Sequence, residues 1–148
     1  MSLQCDIVTQ ERLVFSGQVD MVSLPGTEGR MGILPEHMPM LTTLDFGEVI
    51  VREHGQESYY AIGGGFAEIQ PDRVVILADS AESAVEIDLE RAQRARESAE
   101  KAMREGVPED PVRYAQIRAA LRRADIRIDV SRRRRPRRTI PGLASQEE

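Results

Sequence analysis

The sequence predicts an α+β protein in which an antiparallel β-sandwich is followed by two antiparallel helices. Over the first 80 residues, turn signals recur at intervals of roughly 8–12 residues between short β-branched runs. Beyond Asp79 the apolar period changes from two to about 3.6. Charge divides the chain at the same place, because residues 1–86 carry a net charge of −10 and residues 87–148 one of +5. Two units with different partners, or with a mutual attraction, would explain this asymmetry.

The predicted strands follow one another along residues 1–84 with glycine and proline between them. Pro25-Gly26 and Gln70–Arg73 are turn sequences that separate apolar runs. The segments expected to form strands are Leu3–Val8, Leu13–Phe15, Val19–Leu24, Gly47–Arg52, Glu57–Ile62, Phe66–Ile69 and Val74–Ala78.

Residues 85–130 contain two helical patterns with recognisable ends. Asp88 is a favourable N-cap for the first helix, and Gly106 and Pro108 end it. Asp110 before Pro111 is a second N-cap, with proline in the first helical position. The short connection between the two patterns predicts an antiparallel hairpin.

The seam of this hairpin is predicted to be weak. The first helix offers mainly alanine, at positions 92, 95, 99 and 102, and each buried methyl group is worth about 0.8 kcal/mol. Ordering a residue costs about 1–2 kcal/mol. Two interpretations follow: a hairpin that detaches from a self-sufficient sandwich, and a hairpin packed permanently against it.

Residues 131–148 are predicted to form a disordered tail. Six arginines surround Pro136, and such a segment cannot bury a core of its own.

Composition excludes several classes of protein and site. No apolar stretch approaches the roughly 18 residues of a membrane-spanning helix, and no signal-peptide pattern opens the chain. The single Cys5 excludes an internal disulfide, and with only His37 and His54 it makes no zinc site, so no metal is expected. No nucleophile–base pattern or phosphate loop is present, so no catalytic residue is assigned. Gly63–Gly65 enters a strand rather than a helix and is interpreted as a bulge or a close backbone approach.

One group of charged residues could bind a ligand. Arg91 near the start of the first helix and Arg123 and Arg127 near the end of the second meet in an antiparallel hairpin. With Glu82 and Asp88 nearby, three arginines could hold a polyphosphate and a base. From the pattern alone, solvated or intramolecular ion pairs are the favoured interpretation.

Three sequence blocks resemble the epsilon subunit of bacterial F-type ATP synthases. They are residues 24–44, 61–68 and 74–82, and the agreement in order and spacing extends over residues 1–130. The resemblance implies a sandwich of about ten strands followed by the two-helix domain. It also implies a non-catalytic subunit of the central stalk that holds the gamma subunit to the ring of c subunits. The expected location is peripheral, on the cytoplasmic face of the bacterial plasma membrane.

The resemblance also implies contact residues. The loop Glu28, Gly29, Arg30 and Met31, together with His37, is expected near the c ring. From the residues alone, His37 is expected to be a structural hydrogen-bonding side chain.

In this family the hairpin can lie on the sandwich or extend into the alpha/beta catalytic head, where it inhibits ATP hydrolysis. Some members bind ATP in the folded hairpin through a motif that Ile87, Asp88, Arg91 and Ala92 match, and Glu82, Arg123 and Arg127 match its remaining positions. ATP is therefore expected as a regulatory ligand, and no cofactor is required.

The arginine-rich tail departs from the family, whose chains usually stop near the end of the second helix. The residues expected to strengthen an inhibitory contact with acidic segments of the head are Arg122, Arg123, Arg132, Arg133, Arg134 and Arg135. A tail that only solubilises the chain, or one that touches anionic lipid, is an equally weighted interpretation. The alternative to a stalk subunit is a free-standing module that binds a nucleotide or a nucleic acid through the basic C-terminal half. Nucleic acid is disfavoured, because the body is acidic and carries no strip of basic and aromatic residues.

Overall fold

A computed structural model describes residues 2–106 and 108–133, and it confirms the predicted α+β class. Eight strands precede a 3₁₀ turn at Ala84–Glu86 and two helices. The strands are β1 Leu3–Val8, β2 Leu13–Val19, β3 Met21–Gly26, β4 Gly29–Ile33, β5 Met40–Glu53, β6 Gln56–Gln70, β7 Arg73–Ala78 and β8 Ala81–Ser83, and the helices are α1 Leu89–Arg104 and α2 Pro111–Arg133. No helix in these described ranges is long and apolar enough to cross a membrane.

The strands form one sheet that folds over on itself into a sandwich. Their order is β2-β1-β7-β6-β5-β3-β4, with β8 paired to β6. The two longest strands, β5 and β6, run through both layers, and the ring of Phe15 on β2 lies 5.7 Å from that of Tyr60 on β6. β2, at one end of the strand order, thus packs across the shared core against β6 in the middle of the order.

The structure has eight strands in its described part where about ten were expected. Glu57–Ile62 and Phe66–Ile69 are not separate strands, because β6 is continuous through Gly63–Gly65. Gly64 and Gly65 have φ values of +96° and +140°, so the strand bends there without ending. A Cβ atom on Gly65 would collide with the carbonyl oxygen of Leu77, which confirms the predicted close backbone approach.

One pairing differs from the predicted antiparallel pattern. β1 lies parallel to β7, with Gln4 opposite Arg73 and Val8 opposite Leu77. Antiparallel neighbours can be joined by a tight hairpin, whereas β1 and β7 come from distant parts of the chain. Their relative direction is therefore set by how the sandwich closes and not by a local turn.

The starts of both helices and the end of α1 are those that the sequence predicted, whereas the predicted end of α2 is wrong. The Asp88 side chain accepts a hydrogen bond from the Arg91 amide at 3.1 Å, and Asp110 accepts one from the Val112 amide at 2.9 Å. α2 continues to Arg133, three residues beyond the boundary drawn at 130, and the Ser131 hydroxyl donates to the carbonyl of Ile128 within it. Residues 134–148 of the tail lie outside the described residues, so their disorder stays a prediction.

The hairpin lies folded against the sandwich through α2. Val130 is 1 % exposed and packs with Ala61 and Ala84 in a small cluster separate from the main core. In the seam between the helices Ala92, Ala99, Ala124 and Ile128 are buried, whereas Ala95 is exposed. The seam is therefore as thin as the alanine pattern predicted.

Candidate functional site

A cavity of about 600 Å³ lies between the hairpin and the edge of the sandwich. One wall is formed by strand residues from Ala61 to Gly63 and the other by alanines of both helices, Ala95, Ala120 and Ala124. Because methyl groups are too short to close the space between the elements, the weak seam itself leaves this cavity open. Its charged lining includes Arg12, Glu82, Glu86, Arg123 and Arg127.

Arg127 and Glu82 form a two-pronged ion pair at the cavity. The Nε atom of Arg127 donates to one carboxylate oxygen at 2.8 Å and Nη2 donates to the other at 3.1 Å. Both side chains are about a quarter exposed, which shields the pair from solvent more than a surface pair. The pair joins α2 to β8 and fixes the direction of the guanidinium.

Arg123 lies one turn before Arg127 and also lines the cavity. It is exposed, and among the described residues its side chain has no hydrogen-bond or ion-pair partner. Three of the seven predicted nucleotide residues, Glu82, Arg123 and Arg127, are therefore brought together at one cavity. Arg127 is held there by its ion pair with Glu82, and the guanidinium of Arg123 is available for a ligand.

The other predicted nucleotide residues have structural roles. Asp88 caps α1, Ile87 packs against the small cluster around Val130, and Ala92 is fully buried between the helices. Arg91 is exposed and does not line the cavity. The motif from Ile87 to Ala92 thus builds the start of α1, and in this structure only residues outside it face the cavity.

Arg12 and Glu86 are cavity residues that the sequence did not reveal. Arg12 donates to both carboxylate oxygens of Glu86, through Nη2 at 2.8 Å and Nη1 at 3.3 Å. The hydrogen bond to Glu86 is also the main reason why the pKa of Arg12 is raised. The two residues are 74 positions apart, and neither lies in a recognisable motif, so only the folded chain shows that they meet.

The loop residues expected near the c ring lie in the turn between β3 and β4 and in the first half of β4. Glu28, Gly29 and Arg30 are exposed, whereas Met31 packs against the main core. Arg30 turns back and donates through Nη2 to the carbonyl oxygen of Glu48 at 2.7 Å. His37 is half-buried in a neighbouring loop, where its Nδ1 lies 2.8 Å from the carbonyl oxygen of Met38, in keeping with a structural role.

Two of the predicted inhibitory arginines contact the sandwich. Arg122 forms an ion pair with Asp45 at 3.3 Å and lies 5.1 Å above the ring of Phe46. Arg133 pairs with Glu48 at 3.0 Å. Burial raises the pKa of Glu48, although the charge of Arg133 opposes this shift. Arg132 is exposed on α2, and Arg134 and Arg135 lie outside the described residues.

An apolar row crosses the four neighbouring strands β6, β7, β1 and β2. Phe66 on β6 pairs with Leu77 on β7, which pairs with Val8 on β1, which in turn pairs with Leu13 on β2. Phe66, Leu77 and Leu13 are 51 %, 53 % and 59 % exposed. Contiguous exposed apolar side chains of this kind are typical of protein interfaces.

No group of three or more histidine, cysteine, aspartate or glutamate side chains suited to a metal occurs in the described part of the chain.

Two family descriptions together match nearly all of the described chain. Residues 2–84 match the beta-sandwich domain of the ATP synthase delta/epsilon chain, and residues 86–132 match its long alpha-helix domain. The chain belongs to the ATP synthase delta/epsilon family. The boundary between the two matched domains falls at the 3₁₀ turn, between the last strand and α1.

Bacterial relatives and solved structures agree with this membership. The ATP synthase epsilon chain of Herpetosiphon aurantiacus is 52 % identical over 137 residues, which cover 93 % of this chain and 99 % of that one. The epsilon chain of Dehalococcoides mccartyi is 48 % identical over 134 residues, covering 90 % of this chain and 94 % of the relative. The chain is therefore an epsilon-type ATP synthase subunit.

Two solved complexes contain chains of similar fold. One is in the Euglena gracilis mitochondrial ATP synthase OSCP/F1/c-ring structure, with a TM-score of 0.72 and 25 % identity over 84 % of this chain and 78 % of that one. The other is in the central stalk/c-ring structure of the Tetrahymena thermophila mitochondrial ATP synthase, with a TM-score of 0.63. At 8 % identity, over 88 % of this chain and 97 % of that one, the second similarity concerns the fold alone.

Proposed function

We propose that this chain is the non-catalytic epsilon subunit of a bacterial proton-translocating ATP synthase, and that it couples rotation of the c ring to the gamma subunit and the catalytic head. Family membership supports the assignment to this complex. The observation that supports a docked protein partner is the exposed apolar row that includes Phe66, Leu77 and Leu13. The subunit binds at the cytoplasmic face of the plasma membrane as a peripheral part of the F1 sector.

The apolar row is the surface that we assign to gamma. Phe66 and Leu77 are paired on adjacent strands, so that their side chains form one continuous contact area. None of its exposed residues lines the cavity between the sandwich and the hairpin, so gamma can dock there whether or not the hairpin is folded. The exposed residues Glu28–Arg30, at the start of β4, are left available for the c ring.

Co-purification with gamma tests this assignment. Phe66→Asp and Leu77→Asp place charge in the row and are expected to abolish recovery of the chain with gamma. Val112→Asp is the matched control, because Val112 is also an exposed apolar residue but lies on the hairpin. Recovery of all three variants with gamma would place the contact elsewhere. No association of the unmodified chain would favour a free-standing nucleotide-binding module.

The cavity is the proposed site for ATP as a regulatory ligand. Arg123 and the oriented Arg127 supply planar cations of the kind that bind phosphate groups, while the alanine walls offer apolar surface to a base. ATP bound there would contact α2 and the sandwich together, and would favour the folded hairpin by its differential affinity for that state.

Calorimetry on the isolated chain tests ATP binding. Arg123→Ala and Arg127→Ala are each expected to remove saturable binding, because each deletes a cation at the cavity. Arg104→Ala is a control, since Arg104 is exposed at the far end of α1 and does not line the cavity. If the unmodified chain shows no heat of binding at millimolar ATP, the hairpin responds to its protein partners alone.

The extended hairpin is proposed to inhibit ATP hydrolysis through its basic residues. Arg122 and Arg133 are engaged by Asp45 and Glu48 in the folded state, so they become available to the head only when α2 leaves the sandwich. Removal of residues 134–148 is expected to raise hydrolysis by the assembled complex while leaving the Arg133–Glu48 pair in place. An unchanged hydrolysis rate at low salt would show that the tail has no inhibitory role.

A further inference from the structure

Arginines from both the sandwich and the hairpin line the cavity. Arg12 comes from the turn before β2, whereas Arg123 and Arg127 come from α2, and all three line one cavity. The three cations therefore approach the same space from two different domains.

The backbone of Arg12 is held firmly in this turn. Its amide donates to the Thr9 hydroxyl oxygen at 3.2 Å, and its carbonyl accepts from the Thr9 amide at 2.9 Å and from the Thr9 hydroxyl at 3.3 Å. The side chain is 48 % exposed. A fixed backbone with a solvent-facing guanidinium gives a cation that can reorient its tip without disturbing the fold.

The cavity already balances its cations with carboxylates. Arg127 is paired with Glu82 and Arg12 with Glu86, and the charge of Glu82 also acts on Arg12. The Arg12–Glu86 pair is half exposed, so exchanging its carboxylate for another anion requires little loss of stability. Planar guanidinium groups bind phosphate oxygens in the same two-pronged manner as carboxylate oxygens.

We infer that Arg12 is a phosphate-binding residue of the cavity, and that a nucleoside triphosphate displaces Glu86 from it to bridge the β1–β2 turn and α2. This inference rests on the proposed ATP site and adds to it a residue of the sandwich. Glu86 then acts as a competitor, since its carboxylate occupies Arg12 in the absence of ligand and repels the phosphates when they enter.

Opposite effects of two substitutions distinguish this role from a structural one. Arg12→Gln is expected to weaken the binding of ATP by about tenfold, because one charge-assisted contact is lost. Arg12→Lys should restore part of the affinity, since it keeps the charge but not the two-pronged geometry. Glu86→Gln should strengthen binding, although it breaks the same ion pair. A structural role for the pair would make both Arg12→Gln and Glu86→Gln weaken binding.

The experiment is calorimetric titration of the full chain and these variants with ATP and, separately, with inorganic tripolyphosphate. The loss of affinity caused by Arg12→Gln should be similar for both probes, because Arg12 contacts phosphate and not the base. Arg104→Gln removes an equal charge away from the cavity and should leave both affinities unchanged. Binding of ATP by the unmodified chain with no change in Arg12→Gln would overturn this inference and leave the ATP site standing. No binding by the unmodified chain would overturn both.

Discussion

Asp6 is the only buried charged residue in the described part of the chain, and three neighbours satisfy it. Its carboxylate accepts hydrogen bonds from Ser16 at 2.6 Å, Arg73 at 2.9 Å and Gln4 at 3.0 Å. The Ser16 hydrogen bond is the largest cause of a lowered pKa of Asp6, although burial opposes it. Since the donors come from β1, β2 and β7, one ionised side chain ties three strands together.

The lowered pKa of Asp6 predicts a pH-dependent contribution to stability. The folded state favours the carboxylate, so its contribution is complete above the unfolded pKa of about 3.9 and is lost as pH falls through the folded pKa. Asp6→Asn is expected to lower the free energy of unfolding by about 1–2 kcal/mol near pH 7. The difference from the unmodified chain should shrink below about pH 4. Urea unfolding between pH 3 and 7 measures this, and a pH-independent difference would exclude the ionised role. Asp72→Asn is the control, since Asp72 is exposed.

At the scale of single elements, α2 is held on the sandwich by a few contacts near its end. Val130 is buried against Ala61 and Ala84, and Arg133 pairs with Glu48 three residues later. Arg122 and Arg127 add ion pairs earlier in the helix. Most of these contacts are polar and partly exposed, which makes the docking of α2 sensitive to salt and to competing anions.

Truncating Val130 should loosen the hairpin without weakening the sandwich. Val130→Ala removes two buried methyl groups, or roughly 1–2 kcal/mol. Hydrogen exchange of amides at the end of α2 should become about tenfold faster, while protection of β7 amides stays unchanged. Val112→Ala, at an exposed position of the same helix, should change neither. Equal acceleration in β7 and α2 would mean that the two domains unfold as one unit.

The whole molecule divides into a self-sufficient sandwich and a dependent hairpin. The main core contains residues from Leu3 to Ala81 and no helical residue. The helices bury little apolar surface between themselves, and the second small cluster needs Ala61 and Ala84 of the sandwich to form. The hairpin is therefore attached as weakly as a detachable element would be, and in this structure it is docked on the sandwich.

This division predicts that the sandwich folds alone. A chain ending at Glu86 retains every residue of the main core, so it should unfold cooperatively and keep the amide protection of β5, β6 and β7. Thermal unfolding followed by circular dichroism, with hydrogen exchange, provides the measurement. A chain ending at Arg73 is the control, since it lacks most of β7 and should not fold. Loss of cooperative unfolding in the longer chain would show that the helices complete the core.

Much of the fold could be predicted because local sequence signals specify where its helices and strands begin and end. Asp88, Asp110 and Pro111 mark helix ends by their own hydrogen-bonding and backbone preferences, and the β-branched runs mark strands. The merging of two predicted strands into β6 was not evident, since three glycines can end a strand or bend it. Only the approach of β7 to Gly65 decides between these outcomes.

The sequence by itself determined the order of the elements, the weak alanine seam and the resemblance that identifies the family. Arg91, Arg123 and Arg127 were predicted to meet, with Glu82 nearby, because helix periodicity and hairpin geometry bring the arginines to one end; of these residues Glu82, Arg123 and Arg127 line one cavity. The tertiary structure alone decided that β1 runs parallel to β7, that Arg91 does not line the cavity, and that Arg12 meets Glu86. Periodicity relates neighbours within a few turns of chain, whereas these contacts join residues whose proximity depends on how the sandwich closes and where α2 docks.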